Sequence, residues 1–412
     1  MKIAIIHLAF IYSGGGERLV LEQAKNLSRL GHRVTIFTPV GSRKRCYPDI
    51  IDGFKFKNLL PDLPHFMPEW EVWQVLLACI LAPFLAFYFK DFDIILAANQ
   101  PSPWLAWWAK KWFKIPYIAY LAQATRFLHP RNIDMETKLI FSQKSAFQPA
   151  INLMKLSGPI SNWADHISIR AANAVIANGI YTESVIDRIY QVKSVNCPAG
   201  AYPVTNLHPY QSRLQGNLIL GSRKTVSKPY ILLTNRHFPQ KRFEYAITGL
   251  PVVLEKYPQY SLVITGEETF YTQDLKLLVK RLSMEKKVLF LGFVKEKDLS
   301  RLYREAAVYV YTAPEEDFGM GIIEAMACAT PVVAWDNDGP KTIINHKQTG
   351  LLAKPYEVVD FADKICQLIA NRRKAAKIGQ AAQEKVKQTY SWKIHVQCIL
   401  KTLRQYALKK DS

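Results

Sequence analysis

Residues 312–334 read T-A-P-E-E-D-F-G-M-G-I-I-E-A-M-A-C-A-T-P-V-V-A, and the rest of the chain is organised around them. Ala313 to Asp317 is loop chemistry, Gly319 and Gly321 loosen the backbone, and Ile322 to Ala329 is a run of good helix formers. Thr330-Pro331 stops that helix, and Val332-Val333-Ala334 opens a β-branched strand. A helix starting near Gly319 to Gly321 turns its unpaired N–H groups and positive dipole end toward the loop that carries Glu316, which suits an anionic phosphate. Glu324 follows Glu316 by eight residues, about one turn into the helix. Carboxylates on both sides of a phosphate would repel it, so they are expected to meet neutral donors such as sugar hydroxyls.

In that context E-D-F-G-M-G-I-I-E-A-M-A-C-A-T-P-V-V resembles the signature of the retaining glycosyltransferases of the GT-B fold, family 4, usually E-G-F-G-x-x-x-x-E-A-M-A-x-G-x-P-V-V. A bare E-x7-E carries no information; the run of matching positions around it does. The resemblance implies an α/β chain of two Rossmann-like parallel-sheet domains facing a central cleft, with a C-terminal helix crossing back to the N-terminal domain. It gives Glu324 the ribose hydroxyls and Glu316 the sugar hydroxyls, with the backbone of Phe318, Gly319 and Met320 beside them. Retention in this family is described as front-face attack, the departing phosphate taking the acceptor proton, so no protein nucleophile is nominated.

The remaining text extends the match. Tyr230 to Thr234 reads as a strand followed by Asn235-Arg236-His237-Phe238-Pro239-Gln240-Lys241. An arginine directly after a strand and a lysine five residues on can close on one diphosphate from two sides. The family text is G-R-x-x-x-x-K, which Arg236 and Lys241 match while Asn235 replaces the glycine. Gly266-Glu267 stands for the family's frequent G-D/E-G, and Gly292-Phe293-Val294 matches G-F/Y-V, which places the backbone of Val294 against the nucleobase. Asp338-Gly339-Pro340-Lys341 and Gly350-Leu351-Leu352 resemble G-G/P-x-E and T-G-L-L, with Thr342 where a glutamate is common. The match is dense over Tyr230 to Leu352 and thin over Leu128 to Gly158, a stretch of little pattern assigned to the acceptor side.

Toward the N-terminus, Lys2 to Ala9 reads as a buried strand, not as a signal peptide, because it runs into a glycine loop without a small-residue cleavage site. Gly14-Gly15-Gly16-Glu17-Arg18 is a glycine loop opening the helix Leu19 to Leu30, and Val34 to Phe37 is a second strand, a βαβ unit. G-G-G-E-R is not G-x-G-x-x-G and no acidic residue closes the second strand, which argues against a dinucleotide site. In the family, G-G-x-E-R approaches donor phosphate or the acceptor. After the strand Tyr117 to Leu121, family members often carry a sugar-contacting histidine; here Ala122-Gln123 stands there, with Gln123 as substitute and Arg126 as the matched basic residue.

A chain of 412 residues with 49% hydrophobic and 21% charged content suits two globular domains. The expected division is 1–205 with a returning helix 391–412, a hinge at 206–228 and a donor-binding domain at 229–390. Lys+Arg of 54 against Asp+Glu of 34 gives a net charge of +20, which calls for a polyanionic partner: donor phosphates, an anionic membrane surface or nucleic acid. Six cysteines without C-x-x-C or His/Cys spacing read as reduced thiols, with no metal site. Trp70 to Phe89 is nearly long enough for a membrane span, but Glu71, Gln74 and Pro83 interrupt it. The expectation is a kinked helix on the first sheet whose surplus aromatics (Trp70, Trp73, Phe84, Phe87, Tyr88) dip into a bilayer interface, a fully buried core helix being the alternative.

Together these readings describe a metal- and cofactor-independent, retaining glycosyltransferase. It would move a sugar from a nucleotide-diphosphate sugar, GDP-mannose or a UDP-sugar, to a lipid-linked glycan or glycolipid, peripherally bound at the cytoplasmic face of a membrane. Mannose rests on local similarity to mannosyltransferases around Asn178 to Ala199. The competing class is a non-catalytic nucleotide-sugar or nucleic-acid binding protein of the same fold; a phosphorylase-like enzyme would need a pyridoxal phosphate lysine in matching context, and none is found.

Overall fold

The computed structural model describes residues 1–48, 50–61, 70–137, 157–205 and 210–407. The chain divides into two compact units, Met1–Ala199 with His395–Ser412, and Gly200–Ile394.

The first unit is built on a parallel sheet of β1 (Lys2–His7), β2 (Arg33–Thr38), β3 (Phe56–Asn58), β4 (Ile94–Ala98), β5 (Tyr117–Leu121), β6 (Ala174–Ala177) and β7 (Val195–Asn196), in the order β3-β2-β1-β4-β5-β6-β7. Its helices are α1 (Gly15–Arg29), α2 (Trp70–Ile80), α3 (Ala82–Leu85), α4 (Ser102–Phe113), α5 (Asn132–Glu136), α6 (Gly158–Arg170) and α7 (Ile180–Tyr190). The strands β4, β5 and β6 are apolar along their length, as strands of a parallel sheet covered on both faces are. Alternate residues Ala4, Ile6, Phe37, Ile95, Ala97 and Tyr117 pack against Ala78, Ala82, Leu105 and Ala109 of α2 to α4. Helix α1 stops where Gly31 takes φ +83 and the His32 N–H reaches back to the Leu27 carbonyl at 3.2 Å, the closing turn that only a residue without Cβ adopts freely.

The second unit repeats the plan with β8 (Tyr230–Thr234), β9 (Ser261–Thr265), β10 (Val288–Gly292), β11 (Val308–Tyr311), β12 (Val332–Trp335) and β13 (Leu351–Ala353), ordered β10-β9-β8-β11-β12-β13. Around it lie α8 (Glu244–Lys256), α9 (Tyr271–Arg281), α10 (Glu296–Glu305), α11 (Met320–Ala327), α12 (Asp338–Ile343), α13 (Val358–Ala370) and α14 (Arg372–Thr389). Val308, Val310, Val333 and Trp335 face a core closed by Ile247 and Leu250 of α8 and Phe361 of α13. In each sheet the strand order reverses beside the first strand, between β1 and β4 and between β8 and β11, and the crevice outside the strand ends at such a point is where open α/β sheets bind ligands.

The last helix, α15 (Trp392–Tyr406), continues into the first unit from His395. His395 is buried there, its Nδ1–H donating to the Pro198 carbonyl at 2.8 Å while Nε2 meets the Gln23 amide at 3.1 Å; burial pushes its pKa down to about 4, so the ring is neutral.

Several expectations change on contact with this architecture. The stretch assigned to a hinge, 206–228, includes a short 3-10 turn (Tyr210–Leu214) and an antiparallel pair, Asn217–Ile219 with Thr225–Ser227, and its residues count with the second unit. Buried Arg213 holds that turn down, donating to the Thr330 hydroxyl at 2.8 Å and the Cys328 carbonyl at 3.1 Å. The 70–89 stretch is two helical pieces bent by 75°, the break falling at Leu81 just before Pro83 at the start of α3. Among the described residues no single helix is long and apolar enough to cross a membrane. Trp70 and Trp73, expected on an outward aromatic face, are half-buried, whereas Phe84, Phe87 and Tyr88 are exposed. Most of the acceptor-side stretch, 138–156, lies outside the described residues.

Candidate active site

In the second unit the site grows from β11, whose text Val308-Tyr309-Val310-Tyr311 alternates core and polar faces. Because Val308 and Val310 point into the core, Tyr309 and Tyr311 point to the face that α11 covers. A buried phenol needs a partner. Tyr311 donates to Glu316 Oε2 at 2.8 Å, and Lys241 Nζ donates to the same oxygen at 2.6 Å. Tyr303 of α10 donates to Glu324 Oε2 at 2.9 Å, and its oxygen lies 2.7 Å from Thr234 Oγ1, which is 2.9 Å from the Tyr309 hydroxyl. Both signature glutamates are therefore seated on tyrosines from beneath. Burial first, and then the neighbouring carboxylate charge, pushes Tyr311 and Tyr303 well above the ordinary phenol pKa, so each remains the donor.

Two glycines bring α11 close to this layer. Gly319 takes φ +102 as the residue before the helix, a conformation that favours glycine, and its carbonyl accepts from the Ile322 N–H at 3.0 Å. At Gly321 a Cβ would run into the Tyr309 hydroxyl and come within 3.3 Å of Thr234 Oγ1. The Glu316 loop is held from behind by α12: the Gly339 N–H donates to the Glu316 carbonyl at 2.9 Å, and a Cβ on Gly339 would meet Asp317 backbone at 2.6 Å. Thr342, standing where a glutamate is common, gives its hydroxyl to the Gly339 carbonyl at 2.7 Å and so stays within its own helix.

Lys241 ends a single 3-10 turn, Pro239–Lys241, and its carbonyl accepts from the Thr312 hydroxyl at 2.9 Å, which ties the lysine loop to the end of β11. Arg236 follows β8 as expected, with its guanidinium 5.1 Å from the Phe238 ring. The two cations were expected to grip one group from two sides. Lys241 also pairs with Glu316 at 2.6 Å, and the Arg236 guanidinium lies over the Phe238 ring. Between them in sequence, His237 is fully buried; Nδ1 meets Thr272 Oγ1 at 3.0 Å, and burial pushes its pKa down to about 4. Gly266 has φ +144, and a Cβ there would run into the Asn235 carbonyl, so its backbone backs directly onto the arginine loop. Val294 lies two residues past Gly292, half-buried, beside an exposed Phe293.

In the first unit, the glycine loop meets the end of β4. Gly14 precedes α1 and its carbonyl accepts from the Tyr47 hydroxyl at 3.0 Å. Gly15 is exposed, and a Cβ on Gly16 would lie 3.6 Å from Asn99 Nδ2. Asn99 in turn accepts from the Ala122 N–H at 2.8 Å, linking this loop to the one that carries Gln123 and Arg126. Gln123 accepts from Arg126 Nε at 3.3 Å. Behind them Thr125 and Tyr190 donate to the two oxygens of buried Asp165, at 2.7 and 2.8 Å, which fixes the loop to α6. Sequence reasoning missed this aspartate and the tyrosine layer under the glutamates. The signal for the latter was present, since two tyrosines at alternate positions of a buried strand require polar partners on one face.

Among the described residues no group of three His, Cys, Asp or Glu side chains is placed to hold a metal ion, and all six cysteines are free.

Two parallel-sheet Rossmann-like units, each with a loop-to-helix turn at its reversal point and one with paired glutamates at a helix start, define the GT-B class of glycosyltransferases. Family comparison agrees: the "Glycosyltransferase Family 4" model matches residues 13–196 and the "Glycosyl transferases group 1" model matches residues 221–385. The chain belongs to the family 4 glycosyltransferases of the GT-B fold. It is 23% identical to the alpha-1,3/1,6-mannosyltransferase ALG2 of Dictyostelium discoideum, over 95% of each chain. A GDP-Man:Man(3)GlcNAc(2)-PP-Dol alpha-1,2-mannosyltransferase of the same organism is 28% identical over 51% of this chain and 43% of its own length. Among solved structures, Anabaena Alr3699/HepE in complex with UDP superposes with a TM-score of 0.71 at 20% identity, covering 98% of this chain and 100% of that one.

Proposed function

We propose that this glycosyltransferase is a retaining, metal-independent enzyme that transfers mannose from GDP-mannose, or failing that a sugar from a UDP-sugar, to a lipid-linked glycan or glycolipid at the cytoplasmic surface of a membrane. The observation that carries the reading is the cluster of Lys241, Tyr311 and Glu316 beside the start of α11, at the reversal point of the second sheet. Mannose and a lipid-linked acceptor are supported by the names of the two relatives; a UDP-sugar is supported by the ligand of the Anabaena structure.

In this reading Arg236, Lys241 and the first N–H groups of α11 take the diphosphate. Negative charge grows on that group as the C–O bond to the sugar breaks, so fixed cations and dipoles lower the barrier where the charge appears. Glu324 receives the ribose hydroxyls and Glu316 the sugar hydroxyls, with backbone from Phe318 to Met320 beside them. Gly266 and Val294 border the base. Gly14 to Gly16, Gln123 and Arg126 serve the acceptor side. The departing phosphate removes the acceptor proton. Lys241 then has two tasks, neutralising phosphate and orienting Glu316, which its three N–H donors allow.

The test is a thermal-shift panel of nucleotide sugars followed by release of free nucleoside diphosphate. GDP-mannose is expected to raise the Tm most, and diphosphate release is expected only when donor and a polyprenyl-linked glycan are both present, at an unchanged rate in excess EDTA. Binding without turnover under every acceptor, or steeply salt-dependent binding to DNA, would transfer support to a non-catalytic binding protein.

A further inference from the structure

The outer side of the first unit carries an aromatic ladder that the chemistry above does not use. Along α4, Trp104 stacks on Trp107 (5.1 Å between rings, 9° between planes), Trp107 meets Trp108 at 4.8 Å, and Trp108 meets Trp112 at 5.6 Å. The ladder extends to Phe87 at one end, 5.6 Å from Trp112, and to Trp163 of α6 at the other, 5.9 Å from Trp104. Its ends lie open: Phe87 is 54%, Trp112 41% and Trp163 53% exposed, and neighbouring Phe84 is 69% exposed. Large aromatics this accessible and this contiguous mark a surface that something covers.

Charge decides what. Helices α2 to α4 contain one carboxylate, Glu71, paired with Arg45 at 2.8 Å; α6 contains one, Asp165, buried and hydrogen-bonded. These elements and the 3-10 turn Ala86–Phe89 that follows α3 carry Lys90, Lys110, Lys111 and Lys114 against one further exposed carboxylate, Asp91 beside Lys90, and Lys111 Nζ sits 4.8 Å from the Trp107 ring and 5.2 Å from Trp108. Lysine is depleted where proteins dock on proteins, whereas indoles with lysines above them are what the boundary between lipid headgroups and acyl chains selects. The 75° bend at Leu81 keeps the apolar stretch from crossing as one helix and suits elements that lie in a plane.

We propose that the face formed by α3, α4 and the start of α6 docks on an anionic bilayer, with Phe87, Trp112 and Trp163 at headgroup depth and Lys90, Lys111 and Lys114 on lipid phosphates. The inference deepens the membrane-surface reading above and names the surface responsible.

The test uses the full chain with vesicles of phosphatidylcholine alone and with phosphatidylserine added. Binding is expected to be at least ~10-fold tighter to the anionic vesicles, with tryptophan emission quenched by brominated acyl chains. Phe87→Ser with Trp112→Ser is expected to weaken binding by ~10-fold and remove much of the quenching, while the Tm and transfer to a water-soluble acceptor analogue stay unchanged. Lys111→Glu, on the exposed rim, tests the same face where the double variant fails to fold. Undiminished vesicle binding by both variants overturns the face yet leaves membrane association standing. No binding to either vesicle overturns the proposal, and transfer to the soluble analogue then keeps the enzyme reading intact. A dimer in light scattering that the same substitutions dissolve also overturns it, by giving the face to a second copy.

Discussion

At the end of β1 and at the end of β8 the chain meets the same topological event, a reversal of strand order beside a loop that opens a helix or turn, and fills it differently. The second unit places Lys241 and Tyr311 on one carboxylate oxygen of Glu316, with Glu324 tied to Tyr303 and Thr234 behind it. The first unit uses an imidazole, amides and backbone, with Arg126 on Gln123: His7 Nδ1 meets the Ala98 carbonyl at 3.1 Å, Asn99 accepts from the Ala122 N–H at 2.8 Å, and three glycines stand at the start of α1. Strand order prepares a place for a ligand; the side chains there choose its chemistry. In the proposed reading the donor's diphosphate goes beside the lysine and the helix start, and the acceptor glycan beside the amides.

The sharpest way to break this contrast is Glu316→Ala. If the second unit holds the transferred sugar, kcat/KM should fall by about 10³-fold, roughly 4 kcal/mol, with the fold retained in circular dichroism. Turnover within a few-fold of the parent in a radiolabelled sugar-transfer assay would remove Glu316 from its role.

A smaller effect compares two buried histidines, His7 at the end of β1 and His237 after β8, both held below the usual imidazole pKa by burial. His237 binds its proton readily only once unfolded. Its contribution to stability is complete above pH 6.5 and is lost as the pH falls toward about 4. At pH 5 that amounts to about 2 kcal/mol. The parent's Tm should therefore fall more steeply between pH 7 and 5 than that of His237→Asn; parallel slopes would show that this ring does not drive the loss.

The smallest effect is expected from Tyr311→Phe, which removes one of the two donors on Glu316 Oε2. A drop of about 1 kcal/mol, some 5-fold in kcat/KM, should appear with little change in Tm. A loss as large as that of Glu316→Ala would mean that the phenol does more than orient.

Strands were legible nearly to the residue where an apolar run followed a proline: Tyr117–Leu121 and Tyr230–Thr234 occur as read. Helix starts shifted by a few residues, since glycine loops such as Gly14 to Gly16 hide the first turn; α1 begins at Gly15, not Leu19. In the site, the spacing of Glu316 and Glu324 was readable because both lie on one short loop-and-helix segment. Their tyrosine partners come from β11 and α10, whose sequences read as ordinary buried strand and amphipathic helix. The Lys241–Glu316 contact joins residues 75 apart, and no local pattern carries such a pairing.

The ends of the first unit have a practical consequence for dissecting the molecule. Its last helix is encoded after the whole of the second unit, and the chain crosses between the two bodies twice, at Ala199–Gly200 and at Ile394–His395. The two crossings leave the second unit side by side, where Ala201 bridges Ser391 and the Ala201 N–H donates to the Tyr390 carbonyl at 2.7 Å. A stop codon late in the reading frame therefore damages the body made first by the ribosome, stripping the cover from Gln23 and Pro198. Splitting the protein for separate expression calls for a graft of the tail onto the N-terminal fragment, not a single cut.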